Sequence, residues 1–255
     1  MNYYPTLAFV LWGYMSLWFV ISLVKKRNDV ADVAWGLGFV LVAWTSFFLG
    51  GRPGTRGLMV GVLVSTWGLR LAWHIHSRNQ GKPEDYRYRA WREEWGKWFY
   101  ARSYVQIYLL QGALLFLVSL PVLIVNKSVG GRLGVLDVIG ICVWLGGFVF
   151  ESWSDAQLAQ FVRDPLNRGR ILQSGLWRYT RHPNYFGEVA QWWGLGLVAL
   201  AVRDGWVGMI GPFTITFLIL KVSGIPMLEK RLAQNPAFAE YKRKTSVFLP
   251  WFPKQ

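Results

Sequence analysis

Cysteine is almost absent: Cys142 is the only one in 255 residues. That excludes an intrachain disulfide and any cysteine-based metal site. Cys142 lies inside an apolar run and reads as a small buried hydrophobe. Histidine is scarce too, with three in the chain. His74 and His76 are two residues apart and point to different faces of a helix, and His182 is far along the chain, so no metal is expected. Charge is thin: 16% of residues are Asp, Glu, Lys or Arg, against about 25% in soluble domains. Neither GxGxxG nor GxxxxGK[ST] occurs, which excludes a Rossmann or P-loop nucleotide site. Met1-Asn2-Tyr3-Tyr4 puts no basic leader before the first apolar stretch, so no cleavable signal peptide is read there. What is abundant is apolar and aromatic: 53% hydrophobic residues and 16 Trp, the composition of a membrane protein. The net charge of +14 does not imply nucleic acid, because the basic residues sit in short gaps between apolar runs.

About 20 apolar residues cross a bilayer as a helix. Seven runs qualify, at about 4–24, 30–49, 57–77, 103–125, 134 to past 153, 184–202 and 206–222. The Lys and Arg of the gaps alternate: 22 fall after the first, third, fifth and seventh runs, and five, Arg52 among them, in the other gaps. The positive-inside rule then places the N-terminus outside and the C-terminal tail in the cytoplasm. The expected fold is all-α and polytopic, with seven transmembrane helices in one membrane-embedded domain. Its N-terminal helices and a cytoplasmic loop cover 1–130 and a second part covers 134–255. The 78–102 gap mixes basic, acidic and aromatic residues, as an interfacial helix does. The tail reads as an amphipathic helix, a break at Asn235-Pro236, a second short helix and a Pro-ended aromatic anchor.

An ionisable residue within a transmembrane run is costly and marks a candidate site. Asp32, Arg70, His74, Glu151, Asp155 and Glu188 all fall near the cytoplasmic ends of their runs. Read singly, each is an interfacial charge, solvated or paired for structure. Together they describe a polar cavity open to the cytoplasm. Arg70 and His74 share a face, and Asp32 lies at a depth where Arg70, His74 or Arg78 could meet it. The 163–181 gap adds five arginines, suited either to bidentate phosphate contacts or to anionic lipid head groups. It runs into RYTRHPNYFGE, where Asn184 can add a donor to a phosphate or an amide, Tyr185 can donate a proton or a hydrogen bond, Glu188 can hold a ribose hydroxyl or an amide, and Gly187 permits close approach of a ligand or a helix.

RILQSGLWRYTRHPNYFGE resembles the cofactor signature of the integral membrane sterol C14/C24 reductases and, more loosely, of the steroid 5α-reductases. EKRLAQNPAFAEYKRKTSVFLPWF is similar to the tail of that superfamily. NDVADVAWGLGF and RNQGKPEDYRY look like its bacterial DUF1295 branch. The resemblance implies an NADPH-dependent reductase of a carbon–carbon double bond in a steroid, polyprenoid or other lipid. It implies an enzyme of a bacterial inner membrane, with membrane lipids as neighbours and the site facing the cytoplasm. Carried over by position, it nominates Asp155, Arg170, Trp177, Arg181, His182, Asn184, Tyr185 and Glu188, with Glu229 and Tyr241 in the tail, as NADPH contacts. The cofactor would supply a hydride and the protein orientation and electrostatics. Asp32, His74, His76 and Tyr86 are the candidate proton donors. RHPxYxG also occurs in the isoprenylcysteine carboxyl methyltransferases, which bind S-adenosylmethionine, and a non-catalytic membrane scaffold remains a third reading. Asn184 before Tyr185 and the long arginine-rich approach favour the reductase.

Overall fold

The computed structural model describes residues 2–51, 54–128 and 131–254; Met1 and Arg52, both used above, lie outside the described residues. Among those residues the chain is helical and without strands, apart from one isolated bridge between Thr180 and Ser246. Six helical stretches are long and apolar enough to cross a membrane: Tyr3–Lys25, Val30–Leu49, Thr55–Asn79, Tyr86–Val118, Val135–Arg163 and Gly205–Leu232. The protein is an integral, multi-pass membrane protein. The sixth run of the sequence reading, 184–202, forms a shorter helix, Pro183–Ala199 of 17 residues. The chain divides into two compact units, Met1–Gly134 with Val202–Ile210, and Val135–Ala201 with Gly211–Gln255.

In the first unit, α1 (Tyr3–Lys25) ends on Lys26, which takes a left-handed conformation and turns its N–H back onto Leu23 and Ser22. Residues 26–29 then hand the chain to α2 (Val30–Leu49) and α3 (Thr55–Asn79). α2 and α3 meet backbone to backbone at Gly36 and Gly68, where a Cβ on either would lie 2.6 Å from the other's carbonyl oxygen. Polar side chains tie the apolar faces together, as small and hydrogen-bonding residues do within bilayers. Tyr14 donates to Ala34 O at 2.8 Å, Trp44 to Ser65 Oγ at 2.9 Å, and Asn126 to Ser46 Oγ at 2.7 Å. The basic and aromatic gap expected to hold an interfacial helix forms α4 (Tyr86–Trp95), capped by Asp85, whose carboxylate accepts from Arg87 N at 3.0 Å. Helix then continues through α5 (Phe99–Arg102), a π-helical stretch Ser103–Leu109 and α6 (Leu110–Val118). The run read as 103–125 therefore starts 17 residues earlier and breaks at Ser119, with Pro121 in the first turn of α7 (Leu120–Lys127), where a helix tolerates proline. Met15, Tyr88, Trp95, Phe99, Ile107 and Tyr108 form a buried cluster that fastens α4 and the π-helical stretch to α1.

The second unit is built on α8 (Val135–Arg163) and α9 (Pro183–Ala199). Four glycines interlock them: a Cβ on Gly187 would lie 2.6 Å from Gly147 O, and one on Gly194 would lie 2.5 Å from Gly140 O. No side chain larger than hydrogen fits that crossing. Buried beside it, Gln191 donates to Glu151. Cys142 is exposed on the outer surface of α8, contrary to the buried position read from its apolar surroundings. An apolar run in a membrane helix faces lipid as readily as protein. α10 (Ile210–Phe217), a π-helical turn Leu218–Val222, α11 (Ile225–Leu232) and α12 (Pro236–Lys244) complete the unit. Asn235 caps α12 by accepting from Ala237 N at 3.0 Å, and Pro236 opens it, so the expected break at Asn235-Pro236 is a helix N-terminus.

Candidate functional site

Residues 177–184 lead into α9 and are held from three sides. Trp177 is buried, with its indole donating to Ser154 O of α8 at 3.1 Å. Tyr241 of α12, also buried, donates from its hydroxyl to the carbonyl of Trp177. Thr180 donates to Phe248 O at 2.9 Å, and Arg181 N donates to Ser246 O at 2.9 Å. A tight turn ending in one bridge at Thr180 is thus clamped between α8 and the C-terminal segment, which buries Arg181 and His182.

Arg181 is 6% exposed and His182 fully buried. Arg181 Nε donates to Glu229 Oε1 at 2.8 Å, and its NH1 donates to Lys242 O at 3.1 Å and to Thr245 O. His182 Nε2 lies 3.1 Å from the same Glu229 oxygen, and Lys242 Nζ is 3.7 Å from the other. An ionised carboxylate only accepts hydrogen bonds, so Glu229 fixes the His182 proton on Nε2. His182 Nδ1 is then a bare acceptor, buried and without a partner among the described residues. Burial pushes the His182 imidazole below its ordinary pKa, and the Glu229 carboxylate only partly offsets that. The ring lies near-parallel to Tyr185, 5.6 Å between centroids. At the second residue of α9, Asn184 donates from its side-chain amide to Asp155 Oδ1 of α8 at 3.3 Å, and its Oδ1 accepts from Tyr185 N at 3.0 Å. Glu188 and Tyr185 are half-buried on α9, and Arg168, Arg170 and Arg178 are exposed on the approach to it.

The structure therefore brings together Asp155, Trp177, Arg181, His182, Asn184, Tyr185, Glu229 and Tyr241 within the second unit, and leaves Arg170 on its surface. It gives them unequal positions. The Arg181 guanidinium is engaged by Glu229 and two backbone carbonyls, whereas His182 Nδ1 and the exposed arginines face no such competition.

A second polar assembly lies in the first unit. Asp32 does not pair with Arg70, His74 or Arg78 as its depth suggested. Its carboxylate accepts from Arg87 NH2 and from the Tyr88 hydroxyl, each at 2.7 Å. Arg87 also donates to Asp85 at 3.0 Å. Burial raises the Asp85 carboxyl, but Arg87 outweighs it through charge and hydrogen bonding and holds Asp85 below the ordinary carboxylate range. Arg27 grips Asp29 through two contacts of 2.6 Å, and Asp29 accepts from Asp85 N at 3.1 Å. Glu84 accepts from Asn28 N at 2.6 Å and from Arg92 at 3.1 Å. NDVAD and PEDYRY, 55 residues apart, thus form one network. Tyr88, 3% exposed, is the phenol on Asp32; sequence reasoning nominated Tyr86 instead. Both tyrosines stand in YRY, and only the fold shows which one turns toward α2.

The arrangement defines a class: a helical membrane protein with a buried Arg–His–Glu cluster at the entry to one helix and a carboxylate–phenol pair near the start of another. The chain belongs to the family described as protein of unknown function (DUF1295), whose model matches residues 18–245. It is 26% identical to an uncharacterized protein of Schizosaccharomyces pombe over 94% of this chain and 76% of that one. It is 33% identical to 3-oxo-5-alpha-steroid 4-dehydrogenase 1 of Macaca fascicularis over 45% of this chain and 40% of the macaque protein. The human protein of the same name matches at 33% over 45% of this chain and 41% of its own length. The chain thus spans well under half of the steroid dehydrogenases it matches. No solved structure matches it.

Proposed function

We propose that this chain is an NADPH-dependent reductase of a carbon–carbon double bond in a membrane lipid of steroid or polyprenoid character. Pro183–Ala199 is its seventh crossing: 17 residues at 1.5 Å each make about 25 Å, the short end of a membrane span. The alternation of basic gaps puts the C-terminal tail and the cofactor site in the cytoplasm. The observation that carries the reading is the polar set on and before α9, where Asn184 joins Asp155, Arg181 and His182 share Glu229, and three arginines stand exposed on the chain that leads into the helix. The donor set fits a phosphorylated nucleotide. Exposed Arg168, Arg170 and Arg178 offer planar forks for phosphate oxygens. The neutral His182 offers an acceptor for a hydroxyl or amino group, and Asn184 and Glu188 offer contacts to amide or ribose. Arg181 and Tyr241 hold this segment in shape.

NADPH supplies a hydride when bound. The chain supplies position, through the residues on and before α9. Distant likeness to proteins named as steroid dehydrogenases supports the reaction class.

The test is NADPH oxidation by the purified protein, followed by ultraviolet absorbance with and without a membrane lipid extract. Extract-dependent oxidation that disappears in Asn184→Ala is expected. Oxidation that persists unchanged in both Asn184→Ala and Glu188→Ala would place the cofactor elsewhere, and no oxidation with any lipid fraction would favour a non-catalytic role.

A further inference from the structure

The residues after α12 form no helix, yet they are firmly placed. Thr180 bridges to Ser246, Arg181 N donates to Ser246 O and Trp251 N donates to Tyr179 O, each of the last two at 2.9 Å. Lys254 N donates to Lys244 O at 2.9 Å, which turns the chain back along α12. Phe248 meets Phe186 of α9 edge-on, with ring centroids 5.8 Å apart. A segment fixed at this many points chooses which side chains it turns outward. It turns out Leu249, Trp251 and Phe252, which are 64%, 73% and 76% exposed.

Large apolar side chains held outward by a rigid backbone mark an interaction surface. The charges around this one name its partner. Arg178, Lys242, Arg243, Lys244 and Lys254 are exposed around the same segment. The neighbouring acids are engaged: Glu240 with Lys244 at 2.8 Å, and Glu229 with Arg181 and His182. The surface is therefore apolar and aromatic at its centre and basic at its rim. Its height is set by Phe248 and Thr180, which tie it to the N-terminal end of the apolar helix α9, where such a helix leaves the hydrocarbon. Trp at that level favours the headgroup boundary, and clustered Lys and Arg beside it favour anionic lipid.

We infer that the segment Ser246–Lys254 is an interfacial clamp seated in an anionic bilayer surface, with Leu249, Trp251 and Phe252 among the upper acyl chains and the basic residues at the head groups. The inference is independent of the reductase reading, because it rests on the tail alone. It also gives lipid charge a route to the candidate site, since the clamped segment supplies the backbone carbonyl of Ser246 to Arg181 N and that of Phe248 to Thr180.

The test uses the full-length chain with Cys142→Ser, a nitroxide label on Phe252→Cys or Leu249→Cys, and a control label on Gln234→Cys in the exposed connection before α12. Each is reconstituted in nanodiscs of phosphatidylcholine alone or mixed equally with phosphatidylglycerol. Electron paramagnetic resonance then compares relaxation by dissolved oxygen with relaxation by a water-soluble nickel chelate. Labels at 249 and 252 should show several-fold lower nickel accessibility than the control in anionic discs. The contrast should shrink in phosphatidylcholine alone and in Arg243→Gln/Lys244→Gln/Lys254→Gln. Nickel accessibility equal to the control in both lipids would overturn the inference. Dipolar broadening between labels on separate chains at 249 or 252 would overturn it too, because the surface would then be covered by a second copy of the chain.

Discussion

The α8–α9 crossing makes a quantitative prediction. Gly187 allows a backbone approach that no other residue permits: a Cβ there would lie 2.5 Å from Glu151 N and 2.6 Å from Gly147 O. Both are backbone atoms, so no side chain can swing aside. Restoring ordinary contact requires the helices to part by close to an ångström. The Asn184–Asp155 hydrogen bond, one turn away at 3.3 Å, would then exceed bonding distance. Gly146, on the same helix pair, has nothing within 4 Å of its Cβ position. Alanine gains up to about 1 kcal/mol of helix propensity at either site, so comparing Gly187→Ala with Gly146→Ala isolates the crowding term. Overpacking of this kind costs about 1–3 kcal/mol, or about 2–4 °C of melting temperature per kcal/mol in a chain of this size. Thermal unfolding in one detergent should place Gly187→Ala several degrees below Gly146→Ala, with weaker NADPH binding. Equal melting temperatures would refute the close crossing.

Glu229→Gln leaves Arg181 and His182 without their shared charge and should destabilise the protein by on the order of 3 kcal/mol, read as lowered melting temperature. His182 is buried and favours the neutral form, so the unfolded chain takes up a proton that the folded chain resists. Stability should therefore be full above the ordinary imidazole pKa and fall as pH drops through and below it, and His182→Gln should flatten that slope in melts run across pH 5–8. Tyr88→Phe takes one donor from the Asp32 carboxylate and should cost about 1–3 kcal/mol of stability, read as a lowered melting temperature.

The long apolar runs were legible because a bilayer demands about 20 residues per helix, and α1, α2, α3 and α8 lie close to where hydropathy puts them. The helix at 184–202 came out shorter, because Leu200 onward turns away from helix before the Gly205 region. Helix within 86–102 is read correctly as interfacial, but its continuity with the run after it is not, since charges and aromatics suit an interface as well as the start of a span. The tail could be read because Asn235-Pro236 is a local cap signal. What sequence could not supply was pairing across distance: Asp32 with Arg87 and Tyr88, or Arg181 with Glu229 across 48 residues. Intramembrane depth suggested Arg70 or His74 for Asp32, but depth fixes one coordinate and leaves the other two open. The motif RHPNYFGE named the right neighbourhood without showing that Arg181 turns to Glu229 and the tail carbonyls while His182 keeps a bare nitrogen.

The most direct test of the account is which cofactor the purified chain binds. Titration with NADPH and, separately, with S-adenosylmethionine should show saturable binding of NADPH, weakened by Asn184→Ala and by replacing Arg168 and Arg170 with glutamine. Saturable binding of S-adenosylmethionine with none of NADPH would contradict it.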